Sequence, residues 1–480
     1  MATLVAGVDC STQGTKVLVV DADDGRTVAR GHAPHTVHGA GGARLSDPAS
    51  WWTALRDALA QTGRAGELSA IAVAGQQHGL VVLDAGGRPL QDAPLWNDTT
   101  SAADADALVE DLGGPEIWAA RVGSVPVPSF TVTKWAHLRR TAPAVAAEAA
   151  AVRLPHDYLT ERLSGRGVTD RGDASGTGWW SPAQEAYVPE ILGLDRVDLD
   201  PALLPEVLHA GEVADTVRAP AAAELGLRAD LVVAAGTGDN MAAAVGLGLE
   251  AGTPVISLGT SGTAYAVTDR PAADPTGTVA GFADAGPRFL PLTATLNATL
   301  AVDRMAAWLS VDRDAVEPAG QVVVLPYLDG ERTPDLPTAA GTITGLRHAT
   351  TPGQILQAAY DGALTSLLDG IDGLQAATGG LRSDAPLILV GGGARGAAWR
   401  ATAARLSGRA LEIPDETESV AVGAAALAAA ALRGGDPYVI ARGWDARRGT
   451  RVEAGPRDDE ALARVRAVRS LLGPLNTSGV

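Results

Sequence analysis

Two stretches half a chain apart read as the same hairpin, and this echo limits the fold more than any other feature. Residues 8–15 (VDCSTQGT) run into residues 16–21 (KVLVVD), and residues 256–263 (ISLGTSGT) run into residues 264–269 (AYAVTD). Each is an apolar strand, a turn of small hydroxyl residues and glycine, then a second strand, with Thr-x-Gly-Thr shared. Two unrelated hairpins with common turn residues would also read this way. A duplicated domain, each copy opening on the same hairpin, accounts better for the length: 480 residues are too many for one ordinary core.

Other segments give an α/β pattern. Ser46, Asp47 and Pro48 precede Trp51, Trp52, Leu55 and Leu59, which reads as a cap, a first-turn proline and an apolar helical stripe. Residues 68–74, 231–235 and 386–390 read as buried strands, the last two ending in glycine-rich turns that lead to helices. Residues 458–472 read as a capped amphipathic helix, and the domain junction is expected between Gly246 and Pro254. Lys and Arg total 38 against 56 Asp and Glu, a formal net charge of −18, which argues against nucleic acid or an anionic membrane as partner. The N-terminus does not read as a signal peptide, and the longest apolar run, residues 420–432, is mostly alanine and too short to span a bilayer. A single cysteine, Cys10, rules out an intrachain disulfide and fits a reducing, cytoplasmic setting.

Four turns hold residues suited to chemistry. In the first hairpin Asp9 ends a strand before Ser11, Thr12 and Gln13, with Lys16 in reach; such a turn suits phosphate oxygens and a carboxylate-supported Mg²⁺. An ordinary strand-end Asp9 is the plainer alternative. The second hairpin offers a like loop at Gly259, Thr260, Ser261 and Gly262, and neither loop is a Walker sequence. Asp239, in Gly236-Thr237-Gly238-Asp239-Asn240, stands where a buried strand passes into a small-residue helix. From residue type alone it reads first as a helix N-cap and second as a functional carboxylate. Gly391, Gly392, Gly393 and Ala394 allow close approach to a flat ligand such as adenine, or simply a tight turn. Cys10 reads as a small packing residue.

Taken in order, these pieces resemble the FGGY family of carbohydrate kinases, and within it the members that act on D-xylulose. The resemblance runs from Asp9-x-Ser-Thr-x-Gly-x-Lys16 through Gly75-Gln76-Gln77-His78-Gly79, Trp96-Asn97-Asp98, Leu154-Pro155-His156-Asp157, Asp170, Asp173 and Gly236 to Asn240. It continues through Ser257 to Gly262, Gly330-Glu331-Arg332-Thr333-Pro334, Gly391 to Arg395, and Glu418 ahead of Ala421-Val422-Gly423.

This resemblance implies an α/β protein of two actin-like, ribonuclease-H-like domains with an ATP and sugar cleft between them. Residues 1–247 would bind sugar and carry the base, and residues 248–480 would bind ATP. It implies Asp239 as catalytic base and Asp9 as support for Mg²⁺. Ser11, Thr12, Gln13, Lys16 and Gly259 to Gly262 become phosphate contacts, and Gly392, Gly393 and Ala394 an adenosine pocket. Gln77, His78, Trp96, Asn97 and Asp239 would meet the sugar. Gln77 departs from the methionine commoner in D-xylulose kinases, and His156 and Tyr158 read as structural. The implied reaction is γ-phosphoryl transfer from MgATP to the 5-hydroxyl of D-xylulose. Ribulose, fuculose and gluconate are alternative substrates, and a non-catalytic actin-like nucleotide-binding protein is the alternative class. A homodimer is a family-level expectation.

Overall fold

The computed structural model describes residues 3–472. Within it the chain forms two compact units. Unit 1 contains the residues up to Leu249, then Pro271–Leu290 and Glu418–Ala446; unit 2 contains Glu250–Arg270, Pro291–Thr417 and the residues from Arg447.

The central sheet of unit 1 uses β1 (Leu4–Cys10), β2 (Gly14–Asp21), β3 (Thr27–Pro34), β4 (Leu68–Gly75), β5 (Val213–Thr216), β6 (Val232–Ala234) and the short β7 (Thr237–Gly238). Its order is β5-β6-β4-β1-β2-β3, with β7 beside β4. The β1–β2 and β2–β3 pairs are antiparallel, and β1–β4 and β4–β6 are parallel. Unit 2 repeats this with β8 (Pro254–Leu258), β9 (Gly262–Ala266), β10 (Phe289–Thr295), β11 (Leu387–Val390), β12 (Leu411–Pro414) and β13 (Gly449–Val452), in the order β10-β9-β8-β11-β12-β13. Again the first three strands run antiparallel and the next two join in parallel. The shared order and sense are those of a ribonuclease-H-like core, so the sequence echo marks a duplicated architecture. The copies differ at the last strand: antiparallel β5 precedes β6 in the chain, whereas antiparallel β13 follows β12.

Local chemistry sets the elements as the sequence implies. Asp47 caps the helix Pro48–Thr62 by accepting from the Ala49 N–H, and the helix buries Trp51, Trp52, Leu55 and Leu59. The helix Asp459–Ser470 is capped by Asp458. Cys10 is fully buried, and burial pushes its thiol up to about 12, so it packs rather than reacts. No helix among the described residues is long and apolar enough to cross a membrane.

The alanine-rich run forms the helix Ser419–Arg433, buried from Ala421 to Ala430 within unit 1. It lies so close to its neighbours that glycine is required on both sides of the contact. A Cβ on Gly7 of β1 would fall 1.9 Å from the Ala421 carbonyl oxygen. A Cβ on Gly423 would fall 1.8 Å from that of Ala242, and one on Gly246 would fall 1.9 Å from that of Ser419. The helix Asp239–Gly246, whose first residue is Asp239, is therefore held backbone to backbone against Ser419–Arg433. Gly423→Ala should lower the urea midpoint by the equivalent of about 3 kcal/mol, the upper end of overpacking costs. Gly443→Ala, where a Cβ meets open space, is the control and should leave the midpoint nearly unchanged. Equal midpoints for the two variants would contradict this account of the contact.

Candidate functional site

At the carboxyl ends of the parallel strands of unit 1, register brings three segments side by side. Asp9 and Cys10 of β1 lie beside Ala74 and Gly75 of β4, and Thr237 and Gly238 of β7 pair with the same two residues from the other side. Asp9, the Gln76-Gln77-His78 segment and Asp239 thus leave adjacent strand ends, where ligands of open α/β sheets characteristically bind.

Asp9 is buried, and its Oδ1 has no hydrogen-bond partner. It pairs across the hairpin with Lys16, whose Nζ lies 2.6 Å from Oε2 of Glu418. Burial pushes the Asp9 carboxyl up to about 6; Lys16 opposes the shift and Glu418 adds to it. Asp239 is half-buried at the mouth of its helix. Burial, then the charges of Asp9 and Asp173, push it up to about 7. It is the first helical residue, not the cap: Gly238 occupies the cap position, and Asp239 Oδ1 accepts from the backbone N–H and Nδ2 of Asn240, at 2.8 and 2.9 Å. The N-cap reading of Asp239 is therefore replaced by a carboxylate with one oxygen engaged next door.

Asn240 Nδ2 also donates to Gln77 Oε1 at 2.9 Å, so Gln77, Asn240 and Asp239 form one chain. Gln77 is 3% exposed and its Nε2 has no partner. His78 adopts a left-handed backbone (φ 67°), a conformation uncommon outside glycine. Its Nδ1 is 2.7 Å from the Gly176 carbonyl oxygen, and its ring stands 5.0 Å from Phe130 and 5.5 Å from Phe282. The chain has only three phenylalanines, and two of them wall in this imidazole. Trp96 Nε1 donates to Thr12 Oγ1 at 3.0 Å, which ties an expected sugar residue to an expected phosphate residue. Asn97 keeps a buried Oδ1 without a partner. Ser11 closes the first turn, giving both its N–H and its hydroxyl to the Gly14 carbonyl, and Gln13 is exposed at the tip.

The remaining expected residues belong to unit 2. The turn at Gly259, Thr260, Ser261 and Gly262 is tied to the helix Thr299–Leu309: the Thr299 N–H and hydroxyl both donate to the Gly259 carbonyl, at 3.1 and 2.7 Å. Beside it, residues Gly392–Arg395 form a single 3-10 turn after β11. A Cβ on Gly393 would meet Thr299 and Leu258 at 2.7 and 2.8 Å, whereas one on Gly392 would meet nothing. Gly393 thus serves packing, and Gly392 alone leaves space beside the backbone.

Asn240, Phe130 and Glu418 join the site although no sequence expectation names a role for them, and Asn240 and Glu418 lie inside the motifs. Phe130 and Phe282 carried no signal, because only the tertiary structure brings them to His78. Among the described residues no cluster of three or more His, Cys, Asp or Glu is arranged to hold a metal. The unpartnered Oδ1 of Asp9 suits a divalent cation that takes its other ligands from phosphate and water, the usual habit of Mg²⁺.

Sequence profiles of the FGGY family of carbohydrate kinases match the chain twice, the N-terminal domain over residues 4–246 and the C-terminal domain over residues 255–432. Xylulose kinase of Streptomyces rubiginosus is 58% identical over 481 residues, covering 99% of this chain and 98% of that protein. Among solved structures, xylulose kinase from Bifidobacterium adolescentis is 36% identical with a TM-score of 0.85, covering 98% of this chain and 99% of the other. A second, from Brucella ovis, is 30% identical with a TM-score of 0.90, covering 98% and 100%.

Because its folded-state pKa lies above the unfolded value of about 4, Asp239 makes the protein less stable as pH rises from about 4 to about 7, and the loss persists above that. Asp239→Asn keeps the acceptor for Asn240 and removes this charge. Its unfolding temperature should match the parent near pH 4.5 and exceed it by about 2–4 °C at pH 8. A difference that does not change with pH would show that burial of the charge is not what shifts Asp239.

Proposed function

The chain belongs to the FGGY family of carbohydrate kinases, and from that premise we propose that it transfers the γ-phosphoryl group of ATP to D-xylulose, giving D-xylulose 5-phosphate. The observation that carries the choice of sugar is the 58% identity with a xylulose kinase over nearly the whole of both chains.

Asp239 is the base on this reading. Its high proton affinity supports the role, because a carboxylate near neutrality takes a hydroxyl proton better than an ordinary one. Asn240 holds one oxygen of Asp239 and leaves the other for the sugar hydroxyl. The unpartnered Gln77 Nε2, the aromatic-walled His78 and the bare Asn97 Oδ1 bind the sugar hydroxyls. An epimer that left these groups unpaired would be rejected, which is how polar pockets discriminate. In unit 1, Thr12, Gln13 and Lys16 contact phosphate; in unit 2, the Gly259 to Gly262 turn does so while the open backbone at Gly392 faces adenosine, with Gly393 and Ala394 buried beside it. Mg²⁺, supported by Asp9, supplies neutralisation of phosphoryl charge when bound with ATP. Phosphoryl transfer asks little covalent work of the protein, so these residues act by orientation and charge. The free, buried Cys10 fits a cytoplasmic setting.

ADP release should be strongly stimulated by D-xylulose and weakly by D-ribulose, L-fuculose, gluconate or glycerol. Preference for another of these sugars would move the substrate and keep the kinase. Asp239→Ala should lower turnover by about a hundredfold or more while ATP binding persists. Near-normal turnover in that variant would remove Asp239 as base.

A further inference from the structure

Beneath the turn that carries Asp239 lies a charged cluster with no part in the reaction as described so far. His156, near the start of the helix Pro155–Ser164, has no exposed surface. Its Nδ1 is 2.7 Å from Asp173 Oδ2, and its Nε2 is 3.3 Å from Asp157 Oδ1 and 3.9 Å from Asp170 Oδ1. All three carboxylates are fully buried. Burial alone would lower the imidazole pKa, but Asp157, Asp173 and Asp170 together push it up to about 9, so a cation sits among the carboxylates at neutral pH. Burial pushes Asp157 up to about 6 and Asp170 up to about 7.

Each residue of the turn ahead of Asp239 meets one member of this cluster. A Cβ on Gly236 would lie 3.2 Å from His156 Cδ2. Thr237 Oγ1 donates to Asp170 Oδ2 at 2.8 Å. A Cβ on Gly238 would lie 3.2 Å from Asp173 Oδ1, and that oxygen is buried without a hydrogen-bond partner. One oxygen of Asp173 is thus locked by His156, and the other is bare on the Gly238 side. The same charge is among those that raise Asp239.

We propose that His156 and Asp173 are positioning residues for the base: His156 fixes Asp173 by one oxygen, and the bare oxygen presents its charge to Asp239 across Gly238. The inference rests on Asp239 being the base. The charges that act on Asp239 are those of Asp9 on β1 and of Asp173, and Asp9 in turn faces Lys16 on β2 and Glu418 ahead of the Ser419–Arg433 helix. Those around Asp173 are His156, Asp157 and Asp170. Of the two carboxylates that raise Asp239, Asp173 is the one whose counter-charge, His156, is fully buried, so its field is not screened by water.

The test is the pH profile of kcat/KM for D-xylulose, with kcat and both KM values, in the full-length enzyme and its Asp173→Asn, His156→Gln, His156→Lys and Asp239→Asn variants. Asp173→Asn keeps an acceptor for His156 and removes the charge. It should move the acid limb about one pH unit lower and reduce kcat about tenfold, with KM for ATP nearly unchanged. His156→Gln, which leaves Asp173 unfixed so that its bare oxygen no longer stands on the Gly238 side, should behave alike, and His156→Lys, which restores a cation to hold Asp173, should recover at least half of the loss. If Asp173→Asn does not fold, the comparison of Gln with Lys at position 156 decides. An unmoved acid limb in Asp173→Asn, or equal kcat for the two position-156 variants, overturns the inference. A wild-type acid limb that survives Asp239→Asn instead overturns the assignment of the base, so the two failures are distinguishable.

Discussion

The approach of the Ser419–Arg433 helix to β1 and to the Asp239–Gly246 helix is the contact on which the rest of unit 1 depends. Two helices and a strand can come that close only where no side chain stands between them, and Gly7, Gly246 and Gly423 provide those places. Alanine, with Val422 and Leu427, makes up the rest of the buried run, which explains why a run of small residues forms a buried helix rather than a solvent-facing one. The contact fixes the depth at which Asp239 emerges. It also delivers Glu418, immediately ahead of the helix, to Lys16 on β2. Fold and site share one piece of steric economy.

A second constraint is electrostatic. Asp9, Asp170, Asp173 and Asp239 crowd the ends of neighbouring segments in unit 1, with Lys16 and His156 as the cations set against them. Dehydrated carboxylates raise one another's proton affinity, and such an arrangement persists only where packing holds it. His156 therefore costs the fold less than its burial implies, because removing it would leave three acids without a counter-charge.

Much of this was legible in the sequence, for identifiable reasons. Hairpins declare themselves through turn residues and alternation, so the echo between residues 8–15 and 256–263 became the β1–β2 and β8–β9 pairs. The Asp47 cap and the Trp51 to Leu59 stripe are local codes and came through intact. Residue type alone favoured a cap for Asp239, and it fell short because the chain turns one residue earlier, at Gly238. The His156 cluster was invisible as a unit. Its members span residues 156–173, and only folding brings them under residues 236–238. The return of Pro271–Leu290 and Glu418–Ala446 to unit 1 was equally hidden, since nothing local in either segment says which unit it joins.

That return has a consequence in time. A ribosome releases β1 first and the Ser419–Arg433 helix near the end, so the face of β1 that bears Gly7 waits uncovered while all of β8 to β12 is made. At ordinary elongation rates of about 5–20 residues per second, roughly 180 residues separate Leu249 from the end of that helix, a delay of about ten to forty seconds. Unit 1 begins the chain yet cannot close its sheet early, because the Gly7 face of β1 stays uncovered until the Ser419–Arg433 helix arrives.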